Sequence, residues 1–450
     1  MAVTSVVKLS ELEGAHRLNA EYYQPEYLSL DQNIRKFKFY LLGQIITRFS
    51  SGENLPQLEY YPTGKPYIRT QNVRPIHIDK DGLRCVTPLC KNLPLTEEGD
   101  LLFVRVGEGV GNTSIVTPDW VGSSYSDNVI RISIKQLDPY FVIIFLNSRL
   151  GRKCLERVKK GSARSLISRE NIDLIKIFEP SPALAEYCKN VIKEAQKIIV
   201  SSESLYSQAE NLLLEGLGLK DFCPNYELSY VASLSKAFGV HRVDAEYFQP
   251  TYENLVKHLT EVGEVKPLRY FLLDIKRGIE VGGEQYQEEG KPFIRVSNIS
   301  VTGLVERDQK YIDETLYAGL AGEYEPKVGE LLLTKDATPG VAYIVKEPIQ
   351  GIIAGGILRL MVDEAKINKE YLALCINSLI GKLQIERDGG GSVIRHWRPE
   401  QIKKLVIPLL PSNTQKKIES LVRQSHEARK KAKQLLEEAK RKTEEAIEAT

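Results

Sequence analysis

The sequence predicts an α+β protein in which two similar modules are each followed by a long helix. The first observation is a block at residues 16–27 that returns at 241–252 with eight identical positions. The second is a series of short apolar runs, bounded by Gly and Pro, that follow each block in the same order. The third is a pair of long stretches with apolar residues at seven-residue spacing. A period of about half the chain is too long for a solenoid, whose repeats run to roughly 20–50 residues.

Matching strands are predicted along both modules. A Gly-Lys-Pro turn feeds a β-rich run at 64–73 and again at 290–299. A turn and an apolar strand that ends on a cation follow at 99–105 and 329–335, and further strands are expected at 115–116, 129–134 and 174–177 and at 344–345, 357–362 and 404–407. Asn147, Ser148 and Gly151 recur as Asn377, Ser378 and Gly381 in apolar stretches long enough for helices. Short strands mixed with a few helices, without regular βαβ order, indicate α+β domains.

Each module then runs into a predicted helix, at about 183–217 and 414–449. The apolar positions are Val191, Ile198, Leu205 and Leu212 in the first helix and Leu421, Ala428 and Leu435 in the second, with small residues between them. Lys442 interrupts this pattern, so the C-terminal end is expected to fray or to contact another protein. The pattern is typical of a coiled coil, and we expect the two helices to pack antiparallel. Packing of each helix on its own module is the alternative.

The predicted organisation is a first domain at 1–181, a spacer helix at 182–219, a second domain at 220–411 and a second spacer helix at 412–450. Two such units with antiparallel helices would be related by a pseudo-twofold axis. A helix of about 35 residues is about 50 Å long, which equals roughly 15 base pairs of B-DNA. This length suits two domains that read two different half-sites on one duplex.

Composition narrows the class of protein. The chain has 61 basic and 59 acidic residues, so it is not a uniformly basic DNA wrapper, although a local basic face remains open. No apolar run approaches the roughly 20 residues of a membrane span, and the first residues do not resemble a signal peptide. The six cysteines form no Cys-x-x-Cys pair, which favours reduced thiols in a cytoplasmic protein over a metal site.

Common catalytic signatures are missing from the sequence. The phosphate-binding Gly-x-x-x-x-Gly-Lys-Ser/Thr loop, the Gly-x-Ser-x-Gly elbow, His-Glu-x-x-His and the Asn/Asp-Pro-Pro-aromatic motif are all absent. The glycine-rich stretch at 107–111 lacks the Gly-x-Gly-x-x-Gly form, and its counterpart is Thr-Pro-Gly at 338–340, so a turn is favoured over a nucleotide site. We therefore expect no catalytic residue, cofactor or metal on this chain.

Polar and cationic residues recur at strand ends and in loops of both modules. Arg, Asn and Gln can read base edges, whereas Lys and Ser usually hold phosphates. The candidates for DNA contact are Arg69, Thr70, Gln71, Asn72, Arg105, Lys159, Lys160 and Arg164 in the first module and Arg295, Ser297, Asn298, Lys335, Arg395, His396 and Arg398 in the second. Trp397 adds an aromatic ring to the last loop, which is expected to face DNA. Each residue alone is better explained as a solvated side chain, but their occurrence in corresponding loops supports the group.

Several repeated motifs carry a family resemblance. They are the Arg-x-x-Ala-Glu-Tyr-aromatic-Gln-Pro blocks, the Gly-Lys-Pro-aromatic-Ile-Arg strands, the Gly-Asp/Glu-Leu-Leu segments, and the Gly-Ser loops that lead to Ile172-x-x-Ile175 and Ile402-x-x-Leu405, with prolines before each helix. In this order the chain resembles, over essentially its whole length, the specificity (S) subunits of Type I restriction-modification systems. Gln415 matches the family's glutamine before the helix, whereas the first copy has Ala185.

The resemblance implies a non-catalytic subunit with two target recognition domains, each of which reads half of a bipartite asymmetric DNA sequence. It also implies two methyltransferase (M) subunits that carry S-adenosylmethionine and modify adenine, and restriction (R) subunits that use ATP and Mg. No membrane partner is implied. Two alternatives stay open: a coiled-coil adaptor that holds proteins, and an enzyme with methyltransferase or nuclease activity of its own.

Overall fold

The computed structural model describes residues 4–7, 19–55, 60–61, 63–80, 82–87, 93–107, 109–159, 166–287, 289–305, 308–389 and 396–448. The chain divides into two compact units, unit 1 with residues 1–198 and 431–450 and unit 2 with residues 199–430. Residues of both long helices therefore belong to each unit.

Helices and short strands alternate through both units. The helices are α1 (Pro25–Arg35), α2 (Leu42–Ile45), α3 (Pro139–Asn147), α4 (Arg149–Val158), α5 (Arg169–Asp173), α6 (Pro182–Gly216), α7 (Leu234–Val240), α8 (Pro250–Val262), α9 (Glu314–Tyr324), α10 (Lys369–Asn377), α11 (Leu379–Asp388), α12 (Pro399–Ile402) and α13 (Ser412–Glu448). The strands of unit 1 are β1 (Phe39–Leu41), β2 (Ile46–Ser51), β3 (Tyr60–Tyr61), β4 (Lys65–Ile68), β5 (Arg84–Val86), β6 (Leu101–Val104), β7 (Thr113–Ile115), β8 (Ser124–Tyr125), β9 (Val129–Ile134) and β10 (Lys176–Phe178). Those of unit 2 are β11 (Val265–Pro267), β12 (Leu272–Arg277), β13 (Lys291–Ile294), β14 (Ile299–Ser300), β15 (Gly303–Leu304), β16 (Lys310–Ile312), β17 (Leu331–Thr334), β18 (Ala342–Ile344), β19 (Ile352–Ile353), β20 (Ile357–Val362) and β21 (Val406–Pro408).

The main sheets of the two units have the same strand order. In unit 1 an antiparallel sheet has the order β2-β9-β6-β7, and a second sheet contains β5-β4-β8 with β4 parallel to β8. In unit 2 the corresponding sheets are β12-β20-β17-β18 and β16-β13-β19, with β13 parallel to β19. A short antiparallel pair accompanies them in each unit, β1 with β10 and β11 with β21. The prediction of mixed helices and strands is confirmed, and the duplication extends to strand order.

A buried helical corner lies in the core of each unit. α3 and α10 are buried from their second residue to their last. Ser148 and Ser378 end these helices, and their side chains accept backbone hydrogen bonds at the start of α4 and α11. A Cβ atom on Gly151 or Gly381 would lie 1.8 or 2.0 Å from a backbone oxygen of the preceding helix. The repeated Ser and Gly therefore allow two helices to meet at a close corner.

The repeated N-terminal block packs on the helix that follows this corner. In unit 1 the Arg157 guanidinium lies 4.2 Å from the centroid of the buried Tyr22 ring, and its Nε donates to the Tyr22 carbonyl at 3.0 Å. In unit 2 the equivalent Arg387 lies 5.6 Å from the Tyr247 ring. The block is thus part of the scaffold in both units.

The long helices bury both small and large residues, and most of the predicted apolar positions are only half-buried. Val191 is buried, but Ile198, Leu205, Leu212, Leu421, Ala428 and Leu435 are only half-buried. The buried small residues are Ala195, Ala432 and Ala439 in unit 1 and Ser202, Ala209 and Ser425 in unit 2, and they are accompanied by buried large residues such as Ile192, Leu213, Ile418 and Val422. A large side chain at the point of closest approach would hold two helices apart, so small residues occupy that point and larger ones flank it.

Side-chain contacts join the two helices within each unit. In unit 2 the Ser202 and Ser425 hydroxyls lie 2.9 Å apart, and each donates to the backbone carbonyl of the other residue. In unit 1 the Cys188 sulfur lies 3.8 Å from the Thr443 hydroxyl. The prediction that the helix frays at Lys442 is wrong, because α13 continues to Glu448 and the Lys442 ammonium lies 4.1 Å from the Tyr187 ring centroid.

Candidate nucleic-acid interface

The loops after β4 and β13 are each closed by a buried asparagine. The Asn72 side chain accepts from the Arg69 backbone NH at 3.0 Å and donates to the Asp79 carbonyl at 3.0 Å. Asn298 makes the same pair of bonds, to the Arg295 NH at 3.0 Å and the Val305 carbonyl at 3.1 Å. Both amides are buried and serve the loop itself. This corrects the expectation that Asn72 and Asn298 face DNA.

The arginines that begin these loops also hold the loop. The Arg69 guanidinium donates to the Gly82 carbonyl at 2.7 Å. Arg295 donates to the backbone carbonyl of Asp308 and to its carboxylate at 2.7 Å. Burial raises the pKa of Asp308, but hydrogen bonds from Arg295 and Lys310 outweigh it and hold this pKa below its usual value. Each guanidinium thus bonds to a residue thirteen positions further along and holds its own loop.

Other polar candidates of these loops are more accessible. Gln71 is exposed, and its amide donates to the Gly82 carbonyl at 3.3 Å. Thr70 and Ser297 are half-buried. These three side chains differ between the two units at corresponding positions, which is the property expected of residues that read different sequences.

Arg105 and Lys335 occupy equivalent backbone positions. The Arg105 carbonyl accepts from the Ile167 NH at 3.1 Å, and the Lys335 carbonyl accepts from the Trp397 NH at 2.8 Å. Each of these bonds ties the end of a central strand to the segment before α5 or α12. The sequence-based pairing of the two cations is therefore supported by the same main-chain contact in both units.

The surroundings of these cations differ. In unit 2 the buried Lys335 ammonium lies 2.5 Å from the Asp336 carboxylate, and His396 Nδ1 lies 2.8 Å from its other oxygen. Burial raises the pKa of Asp336, but hydrogen bonds from Lys335 and His396 outweigh it and hold this pKa below its usual value. Asp336 was not among the residues predicted from the sequence. It could have been found there, because it is an acidic residue that directly follows the cation at the end of a predicted strand. Lys335 is neutralised here, whereas His396 is 65% exposed at the surface.

Gly356 brings two candidate groups of unit 2 together. A Cβ atom at Gly356 would lie 2.8 Å from Val296 Cγ2 and 3.5 Å from Asp336 Cβ. The Gly356 carbonyl also accepts from the Lys335 NH at 2.9 Å. The loop that contains Ser297 and the group formed by Asp336 and His396 are therefore neighbours on one side of the unit.

In unit 1 the corresponding place holds a glycine-rich turn. Gly107, Gly109 and Gly111 all have positive φ, between 79° and 93°, which confirms the predicted turn. The Arg152 guanidinium donates to the Gly111 carbonyl at 2.7 Å, and Lys159 lies close to the same glycine. Burial and the charge of Arg152 lower the pKa of Lys159. Lys159 thus lies beside the glycine turn that follows Arg105, whereas unit 2 has Asp336 and His396 where unit 1 has Val106 and Leu166.

The loop before α12 is only partly as predicted. Trp397 is buried in the core of unit 2, which corrects the expectation that its ring faces DNA. Its position follows from the backbone bond to Lys335, which turns the residue inward between exposed His396 and exposed Arg398. Lys160, Arg164 and Arg395 lie outside the described residues.

Metal-binding and membrane-spanning features are not found in the described part of the chain. No group of three or more His, Cys, Asp or Glu side chains among the described residues is arranged to hold a metal ion. Within the same ranges, no helix combines the length and the apolar character needed to cross a membrane. Cys85, Cys154, Cys188, Cys223 and Cys375 are free thiols.

Comparisons with known proteins give structural neighbours but no sequence family. No protein-family model and no curated protein sequence matches the chain. The chain is similar to the S subunit of a Type I restriction-modification system from M. genitalium, at 12% identity and a TM-score of 0.38 over 91% of this chain and 95% of that one. It is also similar to the HsdS subunit from Thermoanaerobacter tengcongensis, at 14% identity and a TM-score of 0.28 over 92% and 95% of the two chains. A further neighbour is the type IIG restriction endonuclease BpuSI, at 10% identity and a TM-score of 0.30 over 42% of this chain and 30% of that one.

Proposed function

We propose that the chain is a DNA-binding specificity subunit that reads a bipartite asymmetric target through two recognition domains. The observation that carries this proposal is that one topology and one set of main-chain contacts hold different surface residues in the two units. Arg105 and Lys335 share their backbone contact, yet Arg105 is followed by a glycine turn that lies beside Lys159, whereas Lys335 pairs with Asp336, which also contacts His396. A common scaffold with different loops is what two unlike half-sites require.

The proposed contacts fall into two groups. In the first recognition domain Gln71, Arg105 and Lys159 are the candidates, since Arg and Gln can read bases and Lys can hold a phosphate. In the second, Ser297, His396 and Arg398 take these roles. The residues whose side chains close their own loops are left out, namely Arg69, Asn72, Arg295 and Asn298.

The two long helices are proposed as an antiparallel spacer between the recognition domains. α6 has 35 residues and α13 has 37, and a helix of that size is about 50 Å long. The reciprocal Ser202–Ser425 bonds and the contact of Cys188 with Thr443 support this direction, because a later residue of α6 meets an earlier residue of α13. The length of the spacer then sets the number of base pairs between the half-sites.

The proposed complex supplies the chemistry from other subunits. Two adenine-methyltransferase subunits bring S-adenosylmethionine, and restriction subunits bring ATP and Mg, while this chain contributes recognition in the cytoplasm and no catalytic group. This part of the proposal rests on the motifs repeated in the sequence and on the absence of the common catalytic signatures from it.

The direct test uses the purified chain with a candidate adenine-methyltransferase subunit, which is sought among the genes that neighbour its own. The complex is incubated with S-adenosylmethionine and random duplexes, and methylated adenines are mapped by sequencing. We expect methylation within one bipartite asymmetric sequence. Methylation without sequence preference would favour the adaptor alternative, and methyl transfer or cleavage by the chain alone would favour the enzyme alternative.

Arg398 provides a test of the second recognition domain. Arg398→Ala should weaken binding to the target at about 150 mM salt by roughly 5- to 150-fold, the range expected from one arginine contact of 1–3 kcal/mol. Changes in the second half-site should then matter less, while discrimination at the first half-site is kept. Lys257→Ala removes another exposed cation of unit 2 and is the matched control. Equal affinity of the Arg398 variant and the wild type would show that this loop does not touch DNA.

A further inference from the structure

An apolar segment at residues 228–243 is unusually exposed. Leu228 and Val231 are fully exposed, Val243 is nearly so, and Leu234 and Phe238 are each 69% exposed. α7 lies within this segment, and none of its residues is buried. Single exposed apolar residues are ordinary on a protein surface, but such a cluster within one short segment is typical of an interaction site.

Polar contacts hold this segment in place. The Gln249 amide accepts from the Glu227 NH and donates to the Glu227 carbonyl, both at 3.0 Å. At the other end the Arg242 guanidinium donates to the Asp388 carbonyl at 3.1 Å. Hydrogen bonds thus attach both ends of the segment to unit 2, and the exposed apolar side chains lie between these two attachment points.

The charges of the segment are already paired. The Lys236 ammonium lies 2.9 Å from the Glu253 carboxylate, and Arg242 lies 2.5 Å from Asp244. The surface offered by the segment is therefore apolar, with its two cations neutralised. DNA phosphates need free cations, so the chemistry fits the apolar surface of a protein.

The first copy carries the same pattern in its sequence. Each repeated block begins at a histidine, His16 in the first copy and His241 in the second. Apolar residues precede both histidines by thirteen, ten and seven positions: Val3, Val6 and Leu9 in the first copy and Leu228, Val231 and Leu234 in the second. The apolar spacing of the segment is therefore part of the duplicated sequence.

Exposure also repeats at the one pair of these positions that is described in both units. Val6 is 98% exposed and Val231 is fully exposed. An exposed valine at the same position of both copies indicates two equivalent sites, each of which binds one copy of the same partner.

We propose that the apolar segment 228–243 and its counterpart around Val6 are docking sites for two copies of one protein partner, the adenine-methyltransferase subunit, through an apolar patch on that subunit. This inference rests on the proposed function for the identity of the partner. Because the segment occurs twice in the sequence, two copies of the partner are expected. Because Lys236 and Arg242 are already paired with carboxylates, the contact with the partner is expected to be apolar.

The test is native mass spectrometry of the full chain mixed with the same candidate methyltransferase subunit. Wild type should bind two copies. Val231→Asp with Phe238→Asp should leave one copy, as should Val6→Asp, and the three changes together should leave none. Affinity at the altered site should fall by about 30-fold or more, as for loss of an interface hot spot.

Val328→Asp is the matched control, because it places the same charge on another exposed valine of unit 2. All variants should keep the wild-type melting temperature, since the altered side chains are exposed. Two copies bound to the triple variant would overturn the docking proposal and leave the proposed function intact. A wild-type chain that binds no methyltransferase would instead overturn the proposed function, and this inference with it.

Discussion

At the scale of single residues, identity between the two copies marks the scaffold more often than the interface. Asn72 and Asn298 stand at equivalent positions, and both turn out to be buried loop-closing amides. His396, by contrast, stands where the first unit has Leu166, and it is exposed. The proposed function requires residues that read two different half-sites to differ, whereas a shared loop conformation is compatible with the same loop-closing residue in both copies.

Glu330 is a buried carboxylate that depends on Arg359. The guanidinium makes two bonds to it, at 2.7 and 2.8 Å, and a third to the Glu323 carbonyl at 2.5 Å. Arg359→Ala leaves the charge unpaired, so the free energy of unfolding of unit 2 should fall by about 3–5 kcal/mol. Replacing both residues, Arg359→Met with Glu330→Leu, should cost much less. Urea unfolding followed by Trp397 fluorescence in a Trp120→Phe background measures both, and equal losses would contradict this account.

His426 should make unit 2 sensitive to acid. Neither ring nitrogen has a hydrogen-bond partner among the described residues, and the ring stacks on Tyr343. Burial, together with the charges of Lys346 and Arg429, lowers the pKa of His426 to about 4. The unfolded chain therefore binds the proton more readily between pH 6.5 and 4. The contribution of neutral His426 to the stability of unit 2 is fully present above about pH 6.5. This contribution is lost as the pH falls towards 4.

The expected loss of stability at His426 is on the order of 2–3 kcal/mol. His426→Phe keeps the stacked ring and removes the titrating group, so its stability should change less over the same pH range. The measurement is the urea midpoint at several pH values for both proteins. Parallel pH profiles would show that another group is responsible.

At the scale of elements, the corner between α10 and α11 depends on Gly381. A Cβ atom there would lie 2.0 Å from the Ile376 carbonyl oxygen, which belongs to the backbone and cannot move aside cheaply. Gly381→Ala should therefore destabilise unit 2 by about 4 kcal/mol or more. Gly319 in α9 is the matched control, because a Cβ there meets open space, and Gly319→Ala should stabilise by about 0.4–1 kcal/mol. Thermal unfolding of both variants compares them; a mild effect at Gly381 would mean that the corner can open.

The sequence predicts elements better than it predicts which side chains meet. The strand expected at 129–134 is β9 (Val129–Ile134), because a continuous apolar run between turns needs no knowledge of tertiary contacts. Seven-residue spacing selects Leu435, which is half-buried and packs against the core of unit 1, but it does not single out the more deeply buried Leu213 and Ile418, because helix packing depends on tertiary contacts. Sequence reasoning also failed for Trp397, whose direction is set by a main-chain bond to Lys335, far away in the chain.

At the scale of the whole molecule, the proposed spacer predicts how the DNA target changes when the helices are lengthened. Seven residues inserted into α6 and seven into α13 keep the heptad register and add about 10 Å to each helix. That length corresponds to about 3 base pairs of B-DNA. The methylated sequence should keep both half-sites and gain about three base pairs between them, because the recognition loops are untouched. Mapping methylated adenines after this change measures the spacing; an altered half-site, or an unchanged spacing, would contradict the spacer role. Insertion of four residues in each helix breaks the register and should abolish methylation at any spacing, which separates loss of helix packing from a change in length.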